Sequence, residues 1–538
     1  MTYASGNSNK NAISEALRNK KAIVLIPILL IFLAIYISCN SPENTNDSKI
    51  NSNTDIKNQN LRMEQGKALA AQHCQSCHML PDPSLLDKEN WQVALAMMGP
   101  RLGIYYHNDN AYKIYTDIDQ SFYPSEPSVS SMDWQKILDY YTAEAPSVMP
   151  PQKRTEPIKR QLPFFSLELP SQLFYRKGNT ASYIKIDTSI KPQRIFVNRS
   201  VSNTLFLLNE KLQVMDSVVT DGPIVDIDFK ENKLVACKIG SNLFGNNARV
   251  GSLLRIQKSG LKVIESLFDT LARPVQITSA DINGDGKNDY LISEFGNVTG
   301  SLFWMENKGH DKYSRHNVRA MAGATHTVIQ DYNHDGLPDI WALFAQGEEG
   351  IFLFTNKGKG LFDEKELIRF PPTYGSSFFE LNDFNHDGSV DIVYTCGDWG
   401  DGINQLKPYH GVYVFINDGK NTFSKKYFFP VNGCIKALAR DFDKDGDLDI
   451  AVIGFFTDNE QPEEGFIFLK NNGNFHFQPY ALPLEANFKK ATTMDVADLD
   501  DADLDDDGKQ DIIIGPGFIG NNAMDDKKPL FILLKNRF

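Results

Sequence analysis

The chain has 538 residues, with 55 Lys and Arg against 68 Asp and Glu and a formal net charge of −13. That length exceeds one ordinary core and predicts two or more domains, and the acidic balance excludes a nucleic-acid binder that works through clustered Lys and Arg. Hydrophobic residues make up 41% and the mean hydropathy is −0.34, as in a mostly soluble globular body.

Arg18, Lys20 and Lys21 precede an apolar run from Ala22 to Ile37. Sixteen helical residues reach about 24 Å, short of a typical span of about 20 residues. A positive flank, a short apolar core and then Ser38-Cys39 predict an export signal. The end of this run resembles a bacterial lipoprotein signal, in which a small residue precedes a cysteine that is lipidated after cleavage. Tyr36 departs from the usual Leu of that pattern. The resemblance implies Cys39 as the lipidation site; an uncleaved signal anchor is the alternative. Either way, residues 1–39 are expected to tether the protein to a membrane in the bacterial cell envelope, facing periplasm or cell surface. Residues 40–60 are Asn-, Ser- and Asp-rich and predict a flexible polar tether.

Residues 61–147 predict short helices. One runs from Leu61 into "HCQSCHML" (73–80); a second, Asp87–Met98, carries Trp91, Leu95 and Met98 on one face and stops at Gly99-Pro100. A third starts at Ser130, with Asp133 in a capping-box-like position and Trp134, Ile137, Leu138 and Tyr141 as its stripe. Cys74-Gln75-Ser76-Cys77-His78 is a C-x-x-C-H haem c attachment signature. It assigns Cys74 and Cys77 as thioether links to one haem and His78 as the proximal iron ligand. A zinc site wants a second Cys/His pair nearby, and residues 79–150 hold only His107. A thioredoxin-type dithiol wants a βαβ setting. Met98 is the expected distal ligand and Met132 the alternative, with Met79, Met97 and Met149 weaker. The His78 Nδ1–H is expected to donate to a carbonyl of the Pro81–Pro83 turn, and His73 is read as a solvated helix end.

Residues 148–161 are a Pro-rich linker. From 162 to 538 the chain turns into short β-rich runs between Gly, Asn and Asp turns. A repeat punctuates them: "DINGDGKND" (281–289), "DYNHDGLPD" (331–339), "DFNHDGSVD" (383–391), "DFDKDGDLD" (441–449) and "DLDDDGKQD" (503–511). Two earlier units, 183–209 and 225–241, keep the strands without the aspartates. Seven units of this size predict a seven-bladed propeller. The chain ends one strand short, so "PFFSLEL" (163–169) is expected to close the last blade.

Ca²⁺ takes six to eight oxygens, and a tight loop offers side chains at positions 1, 3, 5 and 9. These are Asp281, Asn283, Asp285 and Asp289; Asp331, Asn333, Asp335 and Asp339; Asp383, Asn385, Asp387 and Asp391; Asp441, Asp443, Asp445 and Asp449; and Asp503, Asp505, Asp507 and Asp511. Gly286, Gly336, Gly388, Gly446 and Gly508 permit the bend. Position 12 is never Glu and the flanks are strands, so this is no EF-hand. Asp498 and Asp500 offer the fifth loop a competing register. Up to five structural Ca²⁺ are expected; five would add +10 to −13, leaving −3.

Residues 160–538 resemble an FG-GAP/VCBS-type β-propeller, the class that includes integrin α-subunit heads. Residues 61–147 resemble a small c-type cytochrome domain. The fold expected is therefore multidomain: a small all-α cytochrome c domain plus an all-β seven-bladed propeller. Cys396 and Cys434 come from adjacent units and could pair; with Cys237, three buried free thiols are the alternative. Asp398 and Trp399, in the insert "CGDWGDGINQLKPYHG", are ordinary loop residues or line a ligand surface. No hydrolase triad, Walker loop or dinucleotide fingerprint is present. The function expected is single-electron transfer by a membrane-tethered monohaem cytochrome, whose propeller binds a redox partner protein or extracellular ligand. The alternatives are a haem-dependent oxidoreductase with a substrate site on the propeller, and an adhesion or scaffold protein with haem as sensor or relic.

Overall fold

The computed structural model describes residues 45–105, 120–229, 233–241, 243, 247–258, 260–398, 405–483, 490–496, 504, 507–517 and 527–538. Cys39 and the apolar run before it, together with His107, Trp399, Asp498, Asp500, Asp503 and Asp505, lie outside the described residues. Among the described residues, no helix is long and apolar enough to cross a membrane. The chain divides into two compact units, Met1–Arg62 and Met63–Phe538.

Seven four-stranded antiparallel sheets make a seven-bladed propeller. Blade 1 begins at Ala181–Asp187, blade 2 at Ile224–Asp228, blade 3 at Pro274–Ala280 and blade 4 at Ala324–Gln330. Blades 5, 6 and 7 begin at Ser376–Asn382, Cys434–Arg440 and Ala491–Val496. The fourth strand of blade 7 is Phe165–Glu168, which pairs antiparallel with Ile532–Asn536, so the two ends of the domain close the ring as strand counting expects.

Local sequence explains the layering. The second strand of each blade is covered on both faces, and the residues of Asp339–Phe344 and Asp449–Gly454 are all buried. Such strands read as continuous apolar runs. The fourth strand faces solvent, and Phe362–Arg369 carries four consecutive exposed charged residues. Adjacent blades are tied by side chains of the innermost strands that accept main-chain N–H bonds from the next blade. Asp495 takes Ile186 N at 2.8 Å, Asp226 takes Ile277 N at 2.9 Å, Gln276 takes Thr327 N at 2.6 Å and Glu380 takes Ala439 N at 2.9 Å. These bonds satisfy groups that water would otherwise have to reach.

Among the described residues, three α-helices precede the propeller: α1 (Thr45–Cys74), α2 (Lys88–Met98) and α3 (Ser131–Glu144). Helix α1 starts sixteen residues before Leu61, so helix replaces coil over part of the stretch read as a tether; residues 57–62 are exposed along it. Asp87 caps α2 through Asn90 N at 2.9 Å, and Ser130 caps α3 through Asp133 N at 3.1 Å. Gly66 brings α1 onto α3: a Cβ there would stand 2.2 Å from Lys136 O and 2.8 Å from Tyr140 Cβ. Trp91, Leu95, Trp134, Ile137 and Tyr141 fill the space between the helices, with the Trp91 and Tyr141 rings 4.3 Å apart.

The helices from Met63 onward share one compact unit with the propeller, so no separate all-α cytochrome domain stands apart from it, against the multidomain expectation. The reason lies in the linker and in the blade 5 insert. Gln152 donates to Lys407 O at 3.2 Å and His410 O at 3.0 Å, and Arg154 donates to Pro430 O at 3.1 Å and pairs with the buried Glu464. From the other side, Tyr409 donates to Leu85 O at 3.0 Å and Gln405 to Asp87.

A composite cavity and the aspartate loops

Cys74 is the last residue of α1, and Cys77 follows in a turn whose N–H donates to Cys74 O at 3.4 Å. Both thiols are free. Burial pushes the Cys74 thiol up to about 11, and the neighbouring Cys77 adds to the rise. His78 Nδ1 lies 2.8 Å from Met79 O. The partner is thus Met79 O and not a carbonyl of the Pro81–Pro83 turn, which the sequence suggests. There the carbonyls are already taken: Tyr141 donates to Pro81 O at 3.1 Å and Trp91 Nε1 to Pro83 O at 2.7 Å.

These three motif residues line one cavity of about 430 Å³. Its helical walls include Trp91, Leu95, Met97, Met98, Trp134 and Tyr141. Met98 lines it and packs on the helical core; Met97, given less weight in the sequence, lines the same cavity and is buried. Met132 does not line it. The first turn of α3 points Met132 outward, 73% exposed, while Trp134 turns in. His73, read as solvated, also lines the cavity. The Trp134 Nε1 atom is buried against it without a hydrogen-bond partner, which costs free energy unless something in the cavity accepts the bond.

The far wall belongs to the propeller: Val298, Gln346, Glu349, Thr373 and Lys407, from blades 3, 4 and 5. These residues are missed by sequence reasoning, because they lie more than 200 positions from the cysteine motif. The one signal was the blade 5 insert. Within it, Gln405, Lys407 and Tyr409 make the contacts.

The aspartate loops join the first and second strands of blades 3 to 7. In the first, Asp281 accepts from Asp285 N at 3.0 Å and Gly286 N at 2.8 Å, and Lys287 N donates to Asp285 at 3.0 Å. The second, third and fourth loops repeat the bend, with Gly336 N, Gly388 N and Gly446 N on Asp331, Asp383 and Asp441 at 2.9, 2.9 and 3.0 Å. The five glycines have φ between 80° and 95°, a region that other residues enter at a cost. Asn333 and Asn385 donate to Asp335 and Asp387 at 2.9 Å each, and Asn283 donates to Glu306 at 3.1 Å.

The last aspartate of each loop has a second task. Asp289, Asp339, Asp391, Asp449 and Asp511 are buried, and each accepts from the main-chain N–H of an asparagine on the third strand of its blade, at 2.7 to 2.9 Å. Burial raises Asp289 and Asp391 above the usual carboxylate range and pushes Asp449 up to about 8. Oxygens of Asp441, Asp443 and Asp445 lie within 4.8 Å of one another, and the Lys470 ammonium pairs with Asp443 and stands 3.7 Å from Asp445. Asp507 keeps the pattern, accepting from Lys509 N at 3.0 Å.

Cys396 and Cys434 are buried free thiols, as is Cys237, so no disulfide joins blades 5 and 6. Burial raises all three thiol pKa values.

Residues 281–342 and 331–394 match the FG-GAP-like repeat family. The T-cell immunomodulatory protein homolog of Plasmodium falciparum is 30% identical over 142 residues, 24% of this chain and 19% of that protein. Integrin alpha-PS5 of Drosophila melanogaster is 30% identical over 122 residues, 19% of this chain and 12% of that protein. The chain thus covers less than a fifth of the length of either. Among solved structures, Sqt1 of Saccharomyces cerevisiae superposes with a TM-score of 0.41 at 8% identity, over 68% of this chain and 97% of that one. The first three aspartate loops thus fall within FG-GAP-like repeats, in a seven-bladed β-propeller.

Proposed function

We propose that the protein is an exported, membrane-tethered electron carrier whose haem c is held between its helices and its propeller. The observation that carries this reading is that Cys74, Cys77 and His78 line one cavity together with Met97 and Met98. Covalently bound haem would supply a one-electron ferric/ferrous couple. The chain's own residues then divide the work. Cys74 and Cys77 would anchor, and a Nδ1–H bond to Met79 O would hold the His78 ring in the tautomer whose Nε2 lone pair serves a metal. Met98, or Met97 beside it, would offer a thioether sulfur to the iron. Trp91, Leu95 and Tyr141 exclude water, and Trp134 Nε1 offers a donor for an acidic substituent. The five aspartate loops would hold Ca²⁺ and stiffen the blades, with Asp and Asn oxygens as ligands.

The test is a visible spectrum and an intact mass of the full chain, expressed with a haem-attachment system. A Soret band, a reducible α-band and one added porphyrin mass are expected, all lost in Cys74→Ala/Cys77→Ala. A colourless protein of unmodified mass sinks the reading.

A second reading rests on the repeats alone. Their similarity to integrin alpha-PS5 supports a propeller that binds an extracellular ligand or protein partner. It predicts ligand capture by the full chain that survives Cys74→Ala/Cys77→Ala.

A further inference from the structure

Resting on the haem reading above, we infer that propeller blades 4 and 5 form the second wall of the cofactor site, and that Glu349 and Lys407 on that wall set its reduction potential. Both side chains line the cavity that holds Cys74, Cys77 and His78. Both are buried, at 1% and 5% exposure. Both are fixed: Ser376 N donates to Glu349 at 2.7 Å, and Lys407 Nζ donates to Thr373 O at 3.0 Å. The wall is tied to the helices and the linker, because Tyr409 holds Leu85 O and Gln152 holds the Lys407 and His410 carbonyls of the insert.

Charges so placed act through a medium of low effective dielectric, where they count for more than at the surface. Reduction brings one electron from an external donor to the site and needs no proton from these groups. The reduced site is one charge more negative. A fixed ammonium therefore favours it and raises the potential, and a fixed carboxylate opposes it. The propeller is then an electrostatic part of the electron carrier as well as a binding module. Gln346, half-buried on the same wall, is a neutral position where charge of either sign can be introduced.

The experiment is a dithionite–ferricyanide spectral titration of the full chain. The variants are Lys407→Gln, Glu349→Gln, Gln346→Lys and Gln346→Glu, with Arg101→Gln on the helical rim as reference. Lys407→Gln and Gln346→Glu should lower the midpoint potential; Glu349→Gln and Gln346→Lys should raise it. Arg101→Gln should lower it whether or not the propeller takes part. Should the two buried-charge variants fail to fold, the Gln346 pair still decides. Folded variants with a Soret band but the parental potential, or with shifts of one sign regardless of charge, overturn the inference while leaving the haem reading standing. A colourless parent removes the haem reading itself.

Discussion

Ring closure should fail at one residue before any other on its strand. Phe165 lies on the strand that completes blade 7 and is 8% exposed. Its ring meets Phe468 at 5.1 Å, Phe442 at 5.8 Å and Phe538 at 6.0 Å, the first two on blade 6 and its loop. Phe165→Ala therefore empties a site shared by two blades and the chain terminus. Core Phe→Ala changes cost about 3–5 kcal/mol, and edge-to-face partners add about 0.5–1.5 kcal/mol per pair beyond buried area, which puts this one toward the upper end. Leu167, on the same strand at 39% exposure, keeps the same backbone pairing; truncating it to Ala should cost under about 1 kcal/mol, as at other exposed positions. Urea titration followed by tryptophan fluorescence and far-UV circular dichroism measures both. Equal losses for the two variants, or a Phe165→Ala loss below about 1 kcal/mol, would refute the assignment of closure energy to this aromatic cluster.

Tyr141→Phe removes the donor for Pro81 O in a buried setting, and should cost about 1–3 kcal/mol in the same urea assay; no measurable loss would mean water replaces the bond. Burial lifts the Glu464 carboxyl from its ordinary 4.5 to about 7, against the opposing pull of Arg154. Folding therefore takes up a proton, and this contribution is fully present below about pH 4.5 and is lost as pH rises through about 7. Glu464→Gln should flatten that stretch of the stability–pH curve, and an unchanged slope refutes the shift. Calcium at a hundredfold excess over Kd should add about 2.7 kcal/mol per loop that binds it. Chelation should lower the thermal midpoint, and Asp387→Asn should remove one ion from the count by metal analysis. A chain that carries no calcium and ignores chelation would make the loops plain Asp-Gly turns.

What could be read in advance was what repeats or what is local. Period and turn chemistry announce seven units: five carry an Asp-Gly bend before an apolar second strand, and the two earlier ones keep the strands without it. Helix starts at Asp87 and Ser130 were legible because capping is settled within four residues. Closure by residues 163–169 followed from counting strands. The upstream extent of α1 was not legible, because polar residues 45–60 carry no apolar stripe to mark a helix. That Met97 and Met98 line the cavity while Met132 faces solvent depends on which way a helix turn faces. The partner of His78 Nδ1 depended on two competitors, Tyr141 and Trp91, that reach the Pro81–Pro83 turn from distant positions.

Helices and propeller both line the cavity. Among the described residues, the helical core comprises ten buried residues from three helices and their loops. Small domains bury little surface and stay folded only with further support. Here the support is the propeller face, and the contacts that deliver it are polar and directional: Tyr409 to Leu85, Gln405 to Asp87, and Gln152 to the insert. A greasy interface would tolerate sliding, whereas hydrogen bonds to main-chain carbonyls fix one register. The Pro-rich linker acts in the same sense. Pinned by Arg154 to Glu464, it spans helices and propeller without being a hinge. A site built this way keeps its geometry only while both halves are folded and in contact, so loosening the insert should disturb the cavity even though the cysteine motif is untouched.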